Sequence, residues 1–148
     1  EVLIFGDSDD YFSDNRIELS LKHLQNFDIV VNDLNLFNES GIYEEKYISN
    51  RVENNSIVNY SFIKDKNIFG MTNTAINLNI LDRVEFDDSL VAVDWFMFKD
   101  LLKLAHKAIF TNEIISYYRQ HSDNTIGLRK AGGRHLLWWE KKSGHGLN

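Results

Sequence analysis

Two short apolar segments, each leading into polar residues, constrain the fold more than any other feature of this sequence. Residues 1–5 (EVLIF) open the chain, and residues 28–31 (DIVV) lead on toward Phe37. Unbroken apolar runs of this length are typical of strands that are buried on both faces of a sheet. Such a strand needs neighbours on both sides, and parallel neighbours need crossover segments. Because the first strand starts at residue 1, two interpretations stay open: the later part of a larger protein, or a domain that begins with a strand.

Helical patterns alternate with the predicted strands. Apolar residues with helical spacing follow the cap-forming residues 13–15 and predict a first helix. Its inward face is formed by Ile17, Leu21 and Leu24. A second helix is predicted from about Asp94 to Ala105, and its inward residues include Phe98, Leu101 and Leu102. Two strand-like segments follow at residues 108–110 and 114–118. This alternation predicts the α/β class, with a mixed sheet and flanking helices.

Composition excludes several classes of protein. The 148 residues carry 16 Lys and Arg against 22 Asp and Glu, for a net charge of −6, which argues against nucleic acid as a partner. There is no Cys, so disulfide frameworks, thiolate zinc sites and Cys nucleophiles are excluded. No apolar run approaches the roughly 20 residues that a membrane span needs, and no signal peptide is visible. We therefore expect a soluble, cytoplasmic domain.

Three carboxylates follow the first predicted strand. Asp7, Asp9 and Asp10 lie within four residues, at a place where open α/β sheets bind ligands. Close carboxylates repel one another, and Mg²⁺ or Mn²⁺ relieves that repulsion through oxygen ligands. The alternative is a solvated loop that caps the next helix. An EF-hand is excluded, because Tyr11 and Phe12 stand where that loop requires an oxygen ligand and a glycine.

Two later segments carry further candidate site residues. Asp94 begins the second helix, where a carboxylate either caps the helix or serves as a general base. Arg119 and His121 follow the last predicted strand and are suited to an anionic group such as a diphosphate. The alternative for this pair is the exposed end of a strand.

Together these fragments resemble the later half of a family 2 glycosyltransferase with the GT-A fold. The resemblance covers residues 1–128 and rests on an ordered set of motifs. These are Phe5-Gly6-Asp7-Ser8-Asp9-Asp10, then Gly70-Met71-Thr72-Asn73-Thr74-Ala75, then Phe86-Asp87 with Val93-Asp94, and finally Tyr118-Arg119 with His121, Asn124 and Gly127. The chain departs from the family in two respects. The amino-terminal nucleotide-binding half has no counterpart here, and Val93 replaces the first acid of the family's acidic pair.

The resemblance implies an inverting transfer of a sugar from a nucleotide-sugar donor to a saccharide or lipid-linked acceptor, in the synthesis of bacterial surface polysaccharide. It assigns the general base to Asp94 and a Mn²⁺ or Mg²⁺ ion to Asp9 and Asp10. It places Asp7 at the ribose or in the turn, and Arg119 and His121 at the diphosphate.

Two alternatives to this interpretation stay open. In an aspartate-nucleophile phosphatase, Asp7 would be the nucleophile and Asp9 the acid, although Tyr11 stands where that motif has Thr or Val. The chain would otherwise be a folded fragment without activity.

The last twenty residues, 129–148, differ from the rest of the chain. They hold five Lys or Arg against one Glu, and the apolar block 136–139 (LLWW) contains two of the three tryptophans. Aromatic residues beside basic ones suit peripheral contact with the inner face of a membrane. Docking on the domain or on a second copy in a homo-oligomer is another interpretation, and sequence foreign to the domain is a third.

Overall fold

The computed structural model of the protein describes residues 1–81, 93–104 and 106–121. The described strands are β1 (Val2–Ile4), β2 (Tyr11–Phe12), β3 (Ile29–Asn38), β4 (Gly41–Glu44), β5 (Ile57–Val58), β6 (Thr74–Asn77) and β7 (Ala108–Arg119). The described helices are α1 (Arg16–His23), α2 (Tyr60–Ile63) and α3 (Val93–Lys103), with short 3₁₀ turns at Met71–Asn73 and Leu78–Ile80. The predicted α/β class is confirmed at this level, as a mixed sheet with few helices.

The sheet is organised around β3 and β7, its two longest strands. Its order is β1-β6-β3-β7-β2, with β4 beside β3 and β5 beside β7. Strands β3 and β7 run parallel from the pair Ile29–Ala108 to the pair Phe37–Arg119, with a register shift after Asn32. The other pairs are antiparallel. The two predicted segments 108–110 and 114–118 therefore form one strand that is interrupted by a bulge.

The expectation of a fully buried first strand is wrong. β1 lies at the edge of the described sheet and pairs with β6, from Val2–Asn77 to Ile4–Ala75. Its residues are only half-buried. Both of its faces are apolar because each one packs against a different cluster: Leu3 contacts the larger core cluster, and Val2 and Ile4 contact the smaller one. A continuous apolar run thus identified a strand covered on two faces, but not its place in the sheet.

The larger core cluster lies on the side of the sheet that α2 and α3 cover. The α3 ring of Phe98 stacks on Phe69 with centroids 5.1 Å apart, and the indole Nε1 of Trp95 donates a hydrogen bond of 3.0 Å to the carbonyl of Ile63. The predicted inward residues Phe98, Leu101 and Leu102 are buried, whereas Ala105 lies outside the described residues. The second predicted helix is confirmed, and its first turn is fixed by the buried Trp95.

Helix α1 is present where the sequence predicted it, and its predicted inward face is wrong at Ile17 and Leu21 but confirmed at Leu24. Ile17 and Leu21 are 64% and 46% exposed, whereas Arg16 is 4% exposed and Ser20 is 1% exposed. The buried stripe is Arg16, Ser20 and Leu24, at a spacing of i, i+4 and i+8. The orientation of the helix about its axis differs from the predicted one, and it places the Arg16 side chain beneath the loop that follows β1.

No helix of the described residues combines the length and apolarity that crossing a membrane requires. The basic segment 129–148 lies outside the described residues, as do Phe86, Asp87, Asn124 and Gly127.

Candidate active site

The acidic turn, residues 7–10, connects β1 to β2 and lies against the end of β7. The amide of Asp10 donates to the carbonyl of Asp7 at 3.3 Å and closes the turn. The next two residues form β2, in which Tyr11 pairs with Tyr117 of β7. The rings of these two tyrosines stack with centroids 4.2 Å apart. Pairing with β7 therefore carries the acidic turn to the strand end that supplies Arg119 and His121.

Asp10 joins three segments of the chain. Its Oδ1 accepts a hydrogen bond of 2.8 Å from the amide of Arg119, and its Oδ2 accepts a bond from the hydroxyl of Thr72. Burial raises the pKa of the Asp10 carboxyl, the two hydrogen bonds lower it, and the charges of Asp9 and Asp7 raise it further. Both oxygens of Asp10 are thus engaged by protein donors, so this residue fastens the acidic turn in place.

The loop that carries Thr72 is held by buried amide and hydroxyl groups. Asn73 accepts a bond of 2.9 Å from the amide of Gly70, and its Nδ2 donates to the carbonyl of Asn32 at 2.9 Å. The hydroxyl of Ser116 donates to the carbonyl of Thr72 at 2.7 Å, and it accepts from the Nδ2 of Asn32 at 3.0 Å. A buried network with satisfied donors is rigid, so Thr72 is a fixed partner for Asp10.

The strand-end segment, residues 118–121, contacts the acidic turn through two side chains. The Nε of Arg119 donates to the carbonyl of Asp9 at 3.0 Å, and its guanidinium carbon lies 4.4 Å from the centre of the Phe37 ring. The Nε2 of His121 lies 3.0 Å from the Oδ2 of Asp9. The side chains of His121 and Asp9 are 53% and 48% exposed. The two predicted anion-binding residues thus lie beside the predicted metal ligands.

Asp94 is the second residue of α3, and it lies within electrostatic range of the acidic turn. Its Oδ1 accepts a hydrogen bond of 2.8 Å from the amide of Trp95, the next residue of the helix. Burial raises the pKa of Asp94, its backbone hydrogen bonds lower it, and the charge of Asp7 raises it. The charge of Asp7 thus acts on the Asp94 carboxyl although 87 positions separate the two residues in the sequence.

Asp7 is a further carboxylate with a raised pKa. Burial raises its pKa, and the charge of Asp9 adds to the shift. A raised pKa from desolvation plus a charged neighbour is typical of functional sites, where evolution tolerates an energetic cost.

The sequence interpretation missed Tyr118 as a site residue, although it lies inside the quoted motif. Burial raises the pKa of its phenol to about 12, and the charges of Asp10, Asp7 and Asp94 raise it as well, while a hydrogen bond from Gln120 lowers it. The phenol therefore stays neutral among three carboxylates and is available as a hydrogen-bond donor. The aromatic residue beside Arg119 was the available signal.

The donor set can be tested against the expected Mg²⁺ or Mn²⁺ ion. Across residues 1–81, 93–104 and 106–121 there is no group of three or more His, Asp or Glu side chains that could hold a metal. Asp10 has both oxygens engaged, whereas Asp9 and His121 are half-exposed and adjacent. The His121 imidazole occupies the Oδ2 of Asp9, so a Mg²⁺ or Mn²⁺ ion would be held by the other carboxylate oxygen of Asp9, completed by phosphate oxygens of a bound nucleotide and by water.

Comparisons of the chain with protein-family models, with curated proteins and with solved structures find no match.

Proposed function

We propose that the acidic turn, Asp94 and the strand-end segment form the donor-binding and catalytic site of an inverting glycosyltransferase. The observation that supports it best is the meeting of segments that are far apart in the sequence. Asp10 bonds the amide of Arg119 across 109 positions, and the charge of Asp7 acts on Asp94. These are the segments that carry the resemblance to family 2 glycosyltransferases.

Charge explains how the site would hold a nucleoside diphosphate. Three carboxylates alone repel a diphosphate, so the donor needs positive charge. The side chains of Arg119 and His121 lie on the exposed side of the acidic turn and supply hydrogen bonds to phosphate oxygens. A Mn²⁺ or Mg²⁺ ion held by a carboxylate oxygen of Asp9 and by phosphate oxygens would supply Lewis-acid stabilisation of the leaving diphosphate. Asp7 either binds the ribose of the donor or stabilises the acidic turn.

Asp94 is placed to take the proton of the acceptor hydroxyl. In the proposed step the acceptor oxygen forms a bond to the anomeric carbon, and the bond from that carbon to the diphosphate breaks with inversion. The acceptor proton moves to a carboxylate oxygen of Asp94. Burial raises the pKa of this carboxyl above that of an exposed Asp, which makes it a stronger base. The hydrogen bond from the amide of Trp95 fixes its orientation.

The test is transfer from a panel of UDP- and GDP-sugars by the full-length protein in the presence of Mn²⁺. Asp94→Asn keeps the shape of the side chain and is expected to reduce kcat by at least about a hundredfold, while donor binding is retained. Asp100→Asn is the matched control, because Asp100 lies on the same helix with a 70% exposed side chain paired to Lys103. Equal activity of the two variants would contradict the assignment of the base.

Two further measurements separate the alternatives. Asp9→Ala is expected to abolish the dependence of transfer on Mn²⁺, because Asp9 supplies the free carboxylate oxygen of the proposed metal site. Hydrolysis of p-nitrophenyl phosphate that is lost in Asp7→Asn, with no transfer from any nucleotide-sugar, would instead support the phosphatase alternative. The lipid-linked or saccharide acceptor and the role in surface polysaccharide synthesis remain predictions of the resemblance.

A further inference from the structure

Arg16, the first residue of α1, is a buried cation beneath the acidic turn. It is 4% exposed, and a terminal nitrogen of its guanidinium donates to the carbonyl of Phe5. The guanidinium carbon lies 3.9 Å from the centre of the Phe12 ring. Its Nε has no hydrogen-bond partner among the described residues. Burial lowers the pKa of this guanidinium to about 10, against the raising effect of the Asp10 charge.

Phe5 is the first residue of the loop that contains the acidic turn, and Phe12 is the last residue of β2, the strand that follows the loop. The Arg16 side chain therefore joins the start of this loop to the strand after it through one hydrogen bond and one stacked ring. The same place is tightly packed, since a Cβ added at Gly6 would lie 2.9 Å from the Phe12 ring and 3.8 Å from a terminal nitrogen of Arg16. The base of the loop is closed around the guanidinium.

Stability alone does not account for this arrangement. A buried charge without a contacting carboxylate is costly, and an apolar residue at this position would avoid that cost. Helix α1 contains apolar residues that could face inward, but Ile17 and Leu21 are exposed while Arg16 is buried. The helix thus exposes two apolar side chains and buries a cation on which the charge of Asp10 acts.

We propose that Arg16 is a positioning residue that clamps the base of the acidic turn and holds Asp9 and Asp10 in the geometry that binds the donor. It offsets the charge of the carboxylates from the interior side, and the donor and cation approach from the exposed side. The planar guanidinium is required, because a lysine ammonium can neither stack on Phe12 nor bond Phe5 in the same way. The role of Arg16 in donor binding rests on the proposed function, whereas its role in holding the turn does not depend on that function.

Amide hydrogen exchange tests the clamp without any assay of activity. In Arg16→Met and Arg16→Lys, the amides of Asp10 and Arg119 are expected to exchange at least tenfold faster, while Val31 in the centre of the sheet changes less than twofold. Arg51→Met is the matched control, since Arg51 also bonds a backbone carbonyl and lies 5.2 Å from a tyrosine ring, but away from the turn. It is expected to leave the Asp10 and Arg119 amides unchanged.

Unchanged exchange at Asp10 and Arg119, or a uniform acceleration that includes Val31, would overturn the proposal, because each outcome describes a residue with no specific role at the turn. If Arg16→Met does not fold, Phe12→Leu decides the matter by removing the stacked ring while the cation stays. A local acceleration in that variant supports the clamp, and its absence overturns it.

Kinetics then tests the functional part. Arg16→Lys is expected to raise the KM for the nucleotide-sugar at least tenfold with kcat changed less than threefold, the opposite of the pattern expected for Asp94→Asn. A large fall in kcat with an unchanged KM would overturn the positioning role. If no nucleotide-sugar is transferred, the proposed function fails, and the exchange measurement still decides the clamp.

Discussion

At the scale of single residues, the site consists of carboxylates that folding places in unfavourable surroundings. Burial is the first cause of the raised pKa of Asp7, Asp10 and Asp94. A structural acid is normally paired with a cation, and its pKa is then lowered. Of these three, Asp10 has compensating hydrogen bonds from two other segments, whereas among the described residues Asp94 is bonded by backbone amides of its own helix. A carboxylate with so little compensation is better explained by chemistry than by stability.

Asp94→Asn is therefore expected to stabilise the protein at neutral pH. Because the folded pKa of Asp94 lies above its unfolded value, the native state binds more protons. The stability of the wild-type protein thus falls as pH rises from the unfolded pKa through the folded one, and the penalty is fully present above that window. Asn keeps a side-chain oxygen that can accept from the amide of Trp95 and removes the charge. We expect a gain of about 0.5–1 kcal/mol at pH 7, measured by urea unfolding.

The same comparison at low pH provides the control for that gain. Below the unfolded pKa the carboxyl of Asp94 is protonated in both states, so the difference between wild type and Asp94→Asn is expected to vanish. Asp100→Asn, with its exposed side chain, is expected to change stability by less than about 0.5 kcal/mol at either pH. A loss of stability in Asp94→Asn that is the same at both pH values would contradict this prediction, because it would show that the charge on Asp94 does not destabilise the folded state.

At the scale of elements, periodicity predicted where helices lie better than which way they face. The predicted residues of helix α3 face inward because several apolar side chains lie on the same face of the helix. In helix α1, Ile17 and Leu21 do not face inward, because a helix of eight residues has only a small apolar face. The contacts of the Arg16 guanidinium with the Phe5 carbonyl and the Phe12 ring were enough to change which side of the helix faces inward. Sequence patterns cannot weigh such a contact, because its partners come from another segment.

The reversed face of α1 makes a direct prediction for mutant stability. Ile17→Ala and Leu21→Ala are expected to change the free energy of unfolding by less than about 0.5 kcal/mol, because both side chains are largely exposed. Leu24→Ala is expected to cost about 2–3 kcal/mol, since Leu24 is 6% exposed and packs in the smaller core cluster. Chemical denaturation of the three variants measures the difference. Comparable losses at all three positions would show that the helix faces the core as its periodicity first predicted.

At the scale of the whole molecule, the sequence predicted the parts of the site but not its framework. The acidic residues and the strand-end segment were recognisable because polar side chains of one chemical type follow apolar strands. Thr72 as a partner of Asp10 was not predictable, because that contact depends on the loop before β6 reaching the turn after β1. The edge position of β1 and the burial of Arg16 depend in the same way on the order of strands in the sheet.

The distribution of charge between the two parts of the chain supplies the last prediction. Residues 129–148 carry an excess of cations, while the rest of the chain carries an excess of acids. Each Lys or Arg near an anionic membrane contributes about 1 kcal/mol of attraction at low salt. The apolar block 136–139 is too short to hold the protein at the membrane by itself. We therefore expect the intact chain to bind anionic vesicles at low ionic strength and to be released as salt screens the charges.

Deletion of residues 129–148 should remove this binding and leave the thermal midpoint within about 2 °C of its original value. The physical reason is that the expected role of the segment is electrostatic, because it carries five Lys or Arg against one Glu. Vesicle flotation and thermal unfolding of the intact and shortened chains make the measurement, with neutral vesicles as the control for charge. A fall of the midpoint by more than about 4 °C, which corresponds to roughly 1–2 kcal/mol for a domain of this size, would show instead that the tail docks on the folded domain.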